Sequence, residues 1–109
     1  MKRGEVWTVA GVRDYAGKPH PVVIVQDDRF ETTDSITICP FTTDPAPAPL
    51  FRVVVEPSET NGLIATSRLM ADKITTVAKD KLGRRIGRLD DETTLRLNRA
   101  MLVFLGMAG

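Results

Sequence analysis

Cysteine is almost absent: the chain has 1, Cys39. A lone thiol excludes an internal disulfide and offers no metal-ligand spacing, which fits a reducing compartment. Excess charge is missing too. With 15 Lys and Arg against 14 Asp and Glu, the formal net charge is +1. A general coat of positive charge for polyanions is therefore excluded, and any nucleic-acid contact must be local. No apolar run approaches the roughly 20 residues that a membrane span requires. The start, Met1-Lys2-Arg3-Gly4-Glu5, turns acidic before a signal-like segment could develop, so the cytoplasm is the expected location. Aromatic residues are only 6% of the chain, with 1 Trp and 1 Tyr, and there is 1 histidine, His20. What is present is ordinary for a globular protein: 109 residues, 42% hydrophobic and 27% charged. That is one domain, 1–109, with enough apolar surface for a real core.

The chain reads as strands first and a helix last. Residues 5–10 alternate through Val6, Trp7 and Val9 and predict a first strand. The stretch 11–21 is rich in Gly, Pro and charge and reads as a loop. Residues 21–26 form a continuous β-branched run, as in a strand buried on both faces. The alternating 35–41 predicts a third strand, with Pro40 arguing for an end or an edge. The proline-rich 44–49 predicts a stiff exposed loop. A fourth strand is expected over 50–56, a turn over 57–62 around Asn61-Gly62, and one bent or two short strands within 65–77. Asp90 is a good N-cap, followed by Asp91 and Glu92 at the positive end of a helix dipole. Leu95, Leu97, Met101, Leu102, Phe104 and Leu105 then fill about half the circumference of that helix. So wide an arc fits either a well-buried helix or one that doubles as a dimer surface. Five or six strands and one helix predict a mainly β fold with α, a compact barrel with helical decoration.

His20 lies between Pro19 and Pro21, directly ahead of the run Val22-Val23-Ile24-Val25. Prolines on both sides fix φ and bias His20 toward extended geometry, which holds an imidazole on a stiff hinge at a strand mouth. With an ordinary pKa of about 6.5, such a group can donate or accept a proton near neutrality, although a plain loop histidine has the same appearance. Arg84, Arg85 and Arg88 cluster ahead of the helix. They read as a solvated charge run or as phosphate- or partner-positioning cations.

Five blocks in order carry a family resemblance: Arg3-Gly4-Glu5-Val6-Trp7; Pro21 through Phe30; Pro40-Phe41-Thr42-Thr43; Asp72-Lys73-Ile74-Thr75-Thr76; and Leu82-Gly83-Arg84-Arg85-Ile86-Gly87-Arg88-Leu89. Over nearly its whole length the chain resembles the MazF/PemK (Kid) toxins of bacterial toxin–antitoxin systems. The resemblance implies a small SH3-like (CcdB/PemK-like) barrel with a C-terminal helix, forming a homodimer. It implies a metal-independent, cofactor-free endoribonuclease that cuts single-stranded RNA, often mRNA, at short motifs. The 2′-hydroxyl attacks phosphorus to leave a 2′,3′-cyclic phosphate and a 5′-hydroxyl, and a cognate antitoxin neutralises the enzyme across its RNA groove.

Such chemistry needs a base for the 2′-proton, an acid for the departing 5′-oxygen, and donors for the phosphorane charge. In the family, much of this comes from an arginine just before the second-strand proline, and a Thr or Ser at the end of the third strand assists. Thr42 matches the second position. His20 stands at the first, which is the main departure. An imidazole could run acid/base chemistry there, but it lacks the permanent charge and fork of arginine, so cleavage is expected either to work through His20 or to be impaired. Asp72 matches an acidic residue that Kid-like members place beside the scissile phosphate, and the arginine they carry two residues earlier falls on Met70. The candidate catalytic residues are thus His20, Thr42 and Asp72. Lys18, Tyr15, Arg84 and Arg85 are the candidate RNA contacts, with Arg13 alongside Lys18 in the loop that covers the RNA groove in the family. Among stacking candidates, Trp7 and Phe41 lie on strands and Tyr15 in that loop. Two other classes stay open: a non-enzymatic CcdB-type toxin acting on DNA gyrase, and a degenerate member that only binds an antitoxin.

Overall fold

The computed structural model describes residues 1–10 and 20–108. Among these residues seven strands precede one helix: β1 (Glu5–Val9), β2 (His20–Ile24), β3 (Ser35–Thr42), β4 (Arg52–Val55), β5 (Ser67–Met70), β6 (Thr75–Ala78), β7 (Leu82–Arg88) and α1 (Asp91–Phe104). Neighbouring strands run β4-β5-β3-β2-β1-β7, with β6 also paired to β3, and every pairing is antiparallel.

The β-branched run explains the centre of the sheet. Val22, Val23 and Ile24 are all buried, but successive side chains point to opposite faces. Val23 joins Val6, Phe41, Val53, Leu69 and Leu97 in the larger core. Val22 and Ile24 join Ile36, Ile38 and Leu82 in a smaller one. A single strand thus feeds two cores, and each such side chain contributes roughly 1.5–3 kcal/mol of burial. Residues of β4, at one end of the strand order, meet Val6 of β1 in the same cluster beneath Leu97 and Ala100 of α1. The sheet therefore curls on itself like a barrel, as the fold class required.

Three expectations change in detail. Among the described residues seven strands form rather than five or six, because 82–88 is a strand. Its glycines and arginines hide it, yet among the described residues it is an edge strand, paired only with β1, where a polar, glycine-containing sequence is tolerated. Pro40 marks neither an edge nor the strand end: β3 is interior and continues to Thr42. On one side of β3, β6 pairs with residues 35–38 and β5 with 41–42, so Pro40 falls between two ladders where no amide donor is required. The helical arc is only partly used. Leu97 and Ala100 are buried, whereas Leu95 is 68% and Leu105 61% exposed. Asp90 caps α1 as expected, accepting the Thr93 N–H at 2.7 Å.

The 57–62 turn is fixed against β7. Gly62 has φ +70°, and a Cβ there would stand 2.1 Å from the Ile86 carbonyl oxygen. Only glycine permits both that backbone and that approach. The Asn61 side chain completes the turn, accepting from Ser58 N and Leu63 N and donating to the Glu56 carbonyl.

Candidate active site

His20 begins β2 and Thr42 ends β3. In the β2–β3 ladder Val22 faces Pro40 and Val23 faces Cys39; continued outward, that register brings His20 beside Thr42. The two residues line one cavity of about 640 Å³ together with Phe41, Thr43, Asp44, Pro45, Arg52, Met70 and Lys73. His20 is 7% exposed, so the imidazole forms the inner wall rather than the rim.

The Thr42 hydroxyl accepts the backbone N–H of Asp44 at 3.1 Å, and Asp44 in turn accepts the Ala46 N–H at 3.0 Å. These contacts start the proline-rich loop. A hydroxyl has two acceptor sites and one proton, so Thr42 can hold the turn and still donate into the cavity.

Arg52 is not among the residues to which the sequence points. It opens β4 opposite Met70 of β5, the position where the resemblance expected an arginine. Just after Met70 the chain makes a single 3-10 turn, Ala71–Lys73, which returns Asp72 to the Arg52 guanidinium. Arg52 Nε lies 3.3 Å from Asp72 Oδ1 and Nη2 lies 3.2 Å from Oδ2. Burial alone would raise the Asp72 pKa, but the Arg52 hydrogen bonds and charge, its own backbone N–H and Lys73 outweigh it and hold the carboxyl below its usual range. Asp72 is therefore an anion committed to Arg52 and does not itself line the cavity. The available signal was a charged residue opening the β-branched run Val53-Val54-Val55, where an apolar residue would otherwise be expected.

Arg84 and Arg85 do not act together. Arg84 lines a second cavity of about 650 Å³ with Pro21, Leu63, Ile64 and Ile86, which meets the first at Thr43. Arg85 lies 3.2 Å from Glu5, on the side of β7 that also carries Arg88 toward Lys2 and Asp91. Burial would raise the Glu5 pKa, but donation from Lys2 N and Trp7 Nε1 and the charge of Arg85 hold it low. Trp7 is partly buried against the smaller core and Phe41 is 1% exposed in the larger, so Phe41 offers no free stacking face. Lys18, Tyr15 and Arg13 lie outside the described residues. Cys39 is buried, and burial pushes its thiol pKa up to about 12, which leaves it an inert core residue. Among the described residues, no helix is long and apolar enough to cross a membrane.

A family model described as "PemK-like, MazF-like toxin of type II toxin-antitoxin system" matches residues 2–105. Among individual proteins, the chain is 50% identical over 109 residues to the "Probable endoribonuclease MazF" of Mycolicibacterium smegmatis, covering 100% of both. It is 29% identical to "Endoribonuclease MazF9" of Mycobacterium tuberculosis, covering 98% of each. In three dimensions it is similar to an "Endoribonuclease in complex with its cognate antitoxin from Mycobacterial species", with TM-score 0.81, 28% identity, and coverage of 100% of this chain and 98% of that one.

Proposed function

Since the chain belongs to the PemK-like, MazF-like toxins of type II toxin–antitoxin systems, we propose that it is an endoribonuclease whose reacting phosphate occupies the cavity between His20 and Thr42. It cuts single-stranded RNA without a metal. The 2′-oxygen forms a bond to phosphorus as the bond from phosphorus to the 5′-oxygen breaks, giving a 2′,3′-cyclic phosphate and a 5′-hydroxyl. One proton leaves the 2′-oxygen and one reaches the 5′-oxygen. His20 is assigned the proton transfers, as the imidazole of the cavity. Thr42 donates its hydroxyl proton to a phosphoryl oxygen, a bond that shortens as charge develops.

The observation that carries this reading is the convergence of His20 and Thr42, from adjacent strands, in one cavity with two permanent cations, Arg52 and Lys73. Arg84, which lines the adjoining cavity, contacts the strand beyond the cut, and Lys18 and Tyr15 are further RNA contacts. Arg85 is the weaker contact because Glu5 already holds it. A homodimer fits the exposed apolar side of α1, where Leu95, Leu102 and Leu105 stand clear of the core. A cognate antitoxin competes for the RNA-binding surface, and the cytoplasm, where mRNA is found, is the working compartment. A CcdB-type action on DNA gyrase is not favoured: the relatives carry the name endoribonuclease.

The test is incubation with a long single-stranded RNA in the presence and absence of EDTA. Equal cleavage in both, with product 5′ ends that polynucleotide kinase labels without prior phosphatase, is expected. Cleavage abolished by EDTA, or products with 5′-phosphates, would refute the reaction.

A further inference from the structure

We propose that Arg52 is the phosphate-holding cation of this cavity and that Asp72 is its positioning residue. The inference rests on the endoribonuclease reading for the identity of the phosphodiester, but not for the binding itself. Among the described residues lining the cavity, only Arg52 and Lys73 carry permanent positive charge. Lys73 is exposed and makes no ion pair among the described residues, so fixing it on a ligand costs the rotamer freedom of a long side chain. Arg52 is different. Its side chain is 16% exposed and its Nε–Nη2 edge is already fixed by Asp72.

A guanidinium has five N–H donors in a rigid fork. Asp72 takes one edge, and the Nη1 edge has no acceptor among the described residues. That remaining edge belongs to a residue on the cavity wall, and a phosphoryl oxygen is the acceptor that its planar geometry fits best. The backbone sets the placement. Arg52 faces Met70 in the β4–β5 ladder, and the Ala71 N–H donates to the Phe51 carbonyl at 3.0 Å. The turn that carries Asp72 is thereby fastened to the strand that carries Arg52. Much of the ordering needed to hold a phosphate is complete before RNA arrives.

A purely structural salt bridge would have the same distances, so the test reads binding and turnover separately from stability. The probe is a 20-nucleotide single-stranded 2′-deoxy oligonucleotide of mixed sequence, which lacks the attacking hydroxyl. Its affinity is measured by fluorescence anisotropy over a salt series, beside RNA cleavage kinetics and thermal melts. Arg52→Ala is expected to weaken oligonucleotide binding about tenfold and to reduce the salt slope by about 0.7, the value for one phosphate contact on a single strand. Arg52→Lys, which keeps the charge and the fold, retains the slope and lowers kcat. Asp72→Asn leaves KM for RNA within about threefold and lowers kcat. Arg29→Gln is the charge control, since Arg29 is 80% exposed and bound to Asp27 in a turn.

Arg52→Ala indistinguishable from Arg29→Gln in slope and affinity would overturn the proposal. So would Arg52→Lys cleaving at the wild-type rate while Arg52→Ala loses only thermal stability. If no variant, wild type included, cleaves RNA yet binding still depends on Arg52, the endoribonuclease reading fails and the phosphate site stands. If Arg52→Ala cleaves as wild type does, the reading stands and the proposal falls.

Discussion

The Thr42 hydroxyl oxygen lies 3.1 Å from the Asp44 amide nitrogen, so one side chain both starts the proline-rich loop and faces the cavity. The accepted N–H fixes the hydroxyl oxygen, and a fixed oxygen directs its own proton. Thr42→Ser keeps both functions and is expected to retain most activity. Thr42→Ala removes a donor of the kind that stabilises developing oxyanion charge and is expected to lower kcat about 100-fold. Single-turnover cleavage of a defined RNA checks this, and equal rates for Ala and Thr would remove Thr42 from the site.

His20 occupies the inner wall of the same cavity. Replacing it with arginine adds a permanent cation but removes the group that exchanges protons, since a guanidinium stays protonated. His20→Arg is therefore expected to lower the cleavage rate about 100-fold, the scale of a lost general acid or base, while keeping oligonucleotide binding. His20→Ala is expected to abolish cleavage. Unchanged rates in both variants would show that the reacting phosphate lies elsewhere.

Arg84 and Arg85 are neighbours in sequence with different surroundings. Arg85 is held by Glu5 at 3.2 Å, while Arg84 lines the cavity that adjoins the reaction site. Arg84→Gln is expected to weaken single-stranded RNA binding and flatten its salt dependence by about 0.7, whereas Arg85→Gln changes neither by more than the error of measurement. Affinity measured at several salt concentrations separates them, and equal losses would restore them as one patch.

Acid stability draws on several lowered carboxyls, three of them beside the cavity, at β1 and at the helix start. Asp72, Glu5 and Asp90 all titrate below their ordinary values in the folded protein. Burial opposes the shift at Asp72 and Glu5 and is outweighed by Arg52 and by Lys2 N respectively, while the Thr93 amide is the leading cause at Asp90. A lowered folded pKa means that the unfolded chain binds more protons in acid. The stabilisation is therefore complete above the unfolded values near about 4 and disappears as pH falls through the folded ones. The melting temperature is expected to be level between about pH 7 and 5 and to drop below about pH 4, with a shallower drop in Asp72→Asn. Calorimetry across that range checks the sign, and a rise on acidification would contradict it.

Much of the barrel was legible because period and turn chemistry agree. The run from Val22 to Ile24 announced a strand buried on both faces, Asn61-Gly62 a tight turn, and Asp90 a helix start. What escaped was set by pairing rather than by local pattern. Strand β7 reads only as a charge run because an edge strand need not be apolar on both faces. Pro40 looked like an edge because one sequence cannot show that two partner strands divide a neighbour between them. At the site, His20 and Thr42 were visible as a hinge residue and a strand end. Arg52 was not, since its importance comes from facing Met70 across a ladder and meeting Asp72 beyond a turn, 20 positions away in the chain.

Primer extension on a long natural RNA tests the central claim most directly, comparing wild type with Thr42→Ala and His20→Ala. New ends at a recurring short motif, produced in EDTA by the wild type and missing from both variants, are the expected result. No new ends with wild type, or the same ends with both variants, would contradict the assignment of RNA cleavage to this cavity.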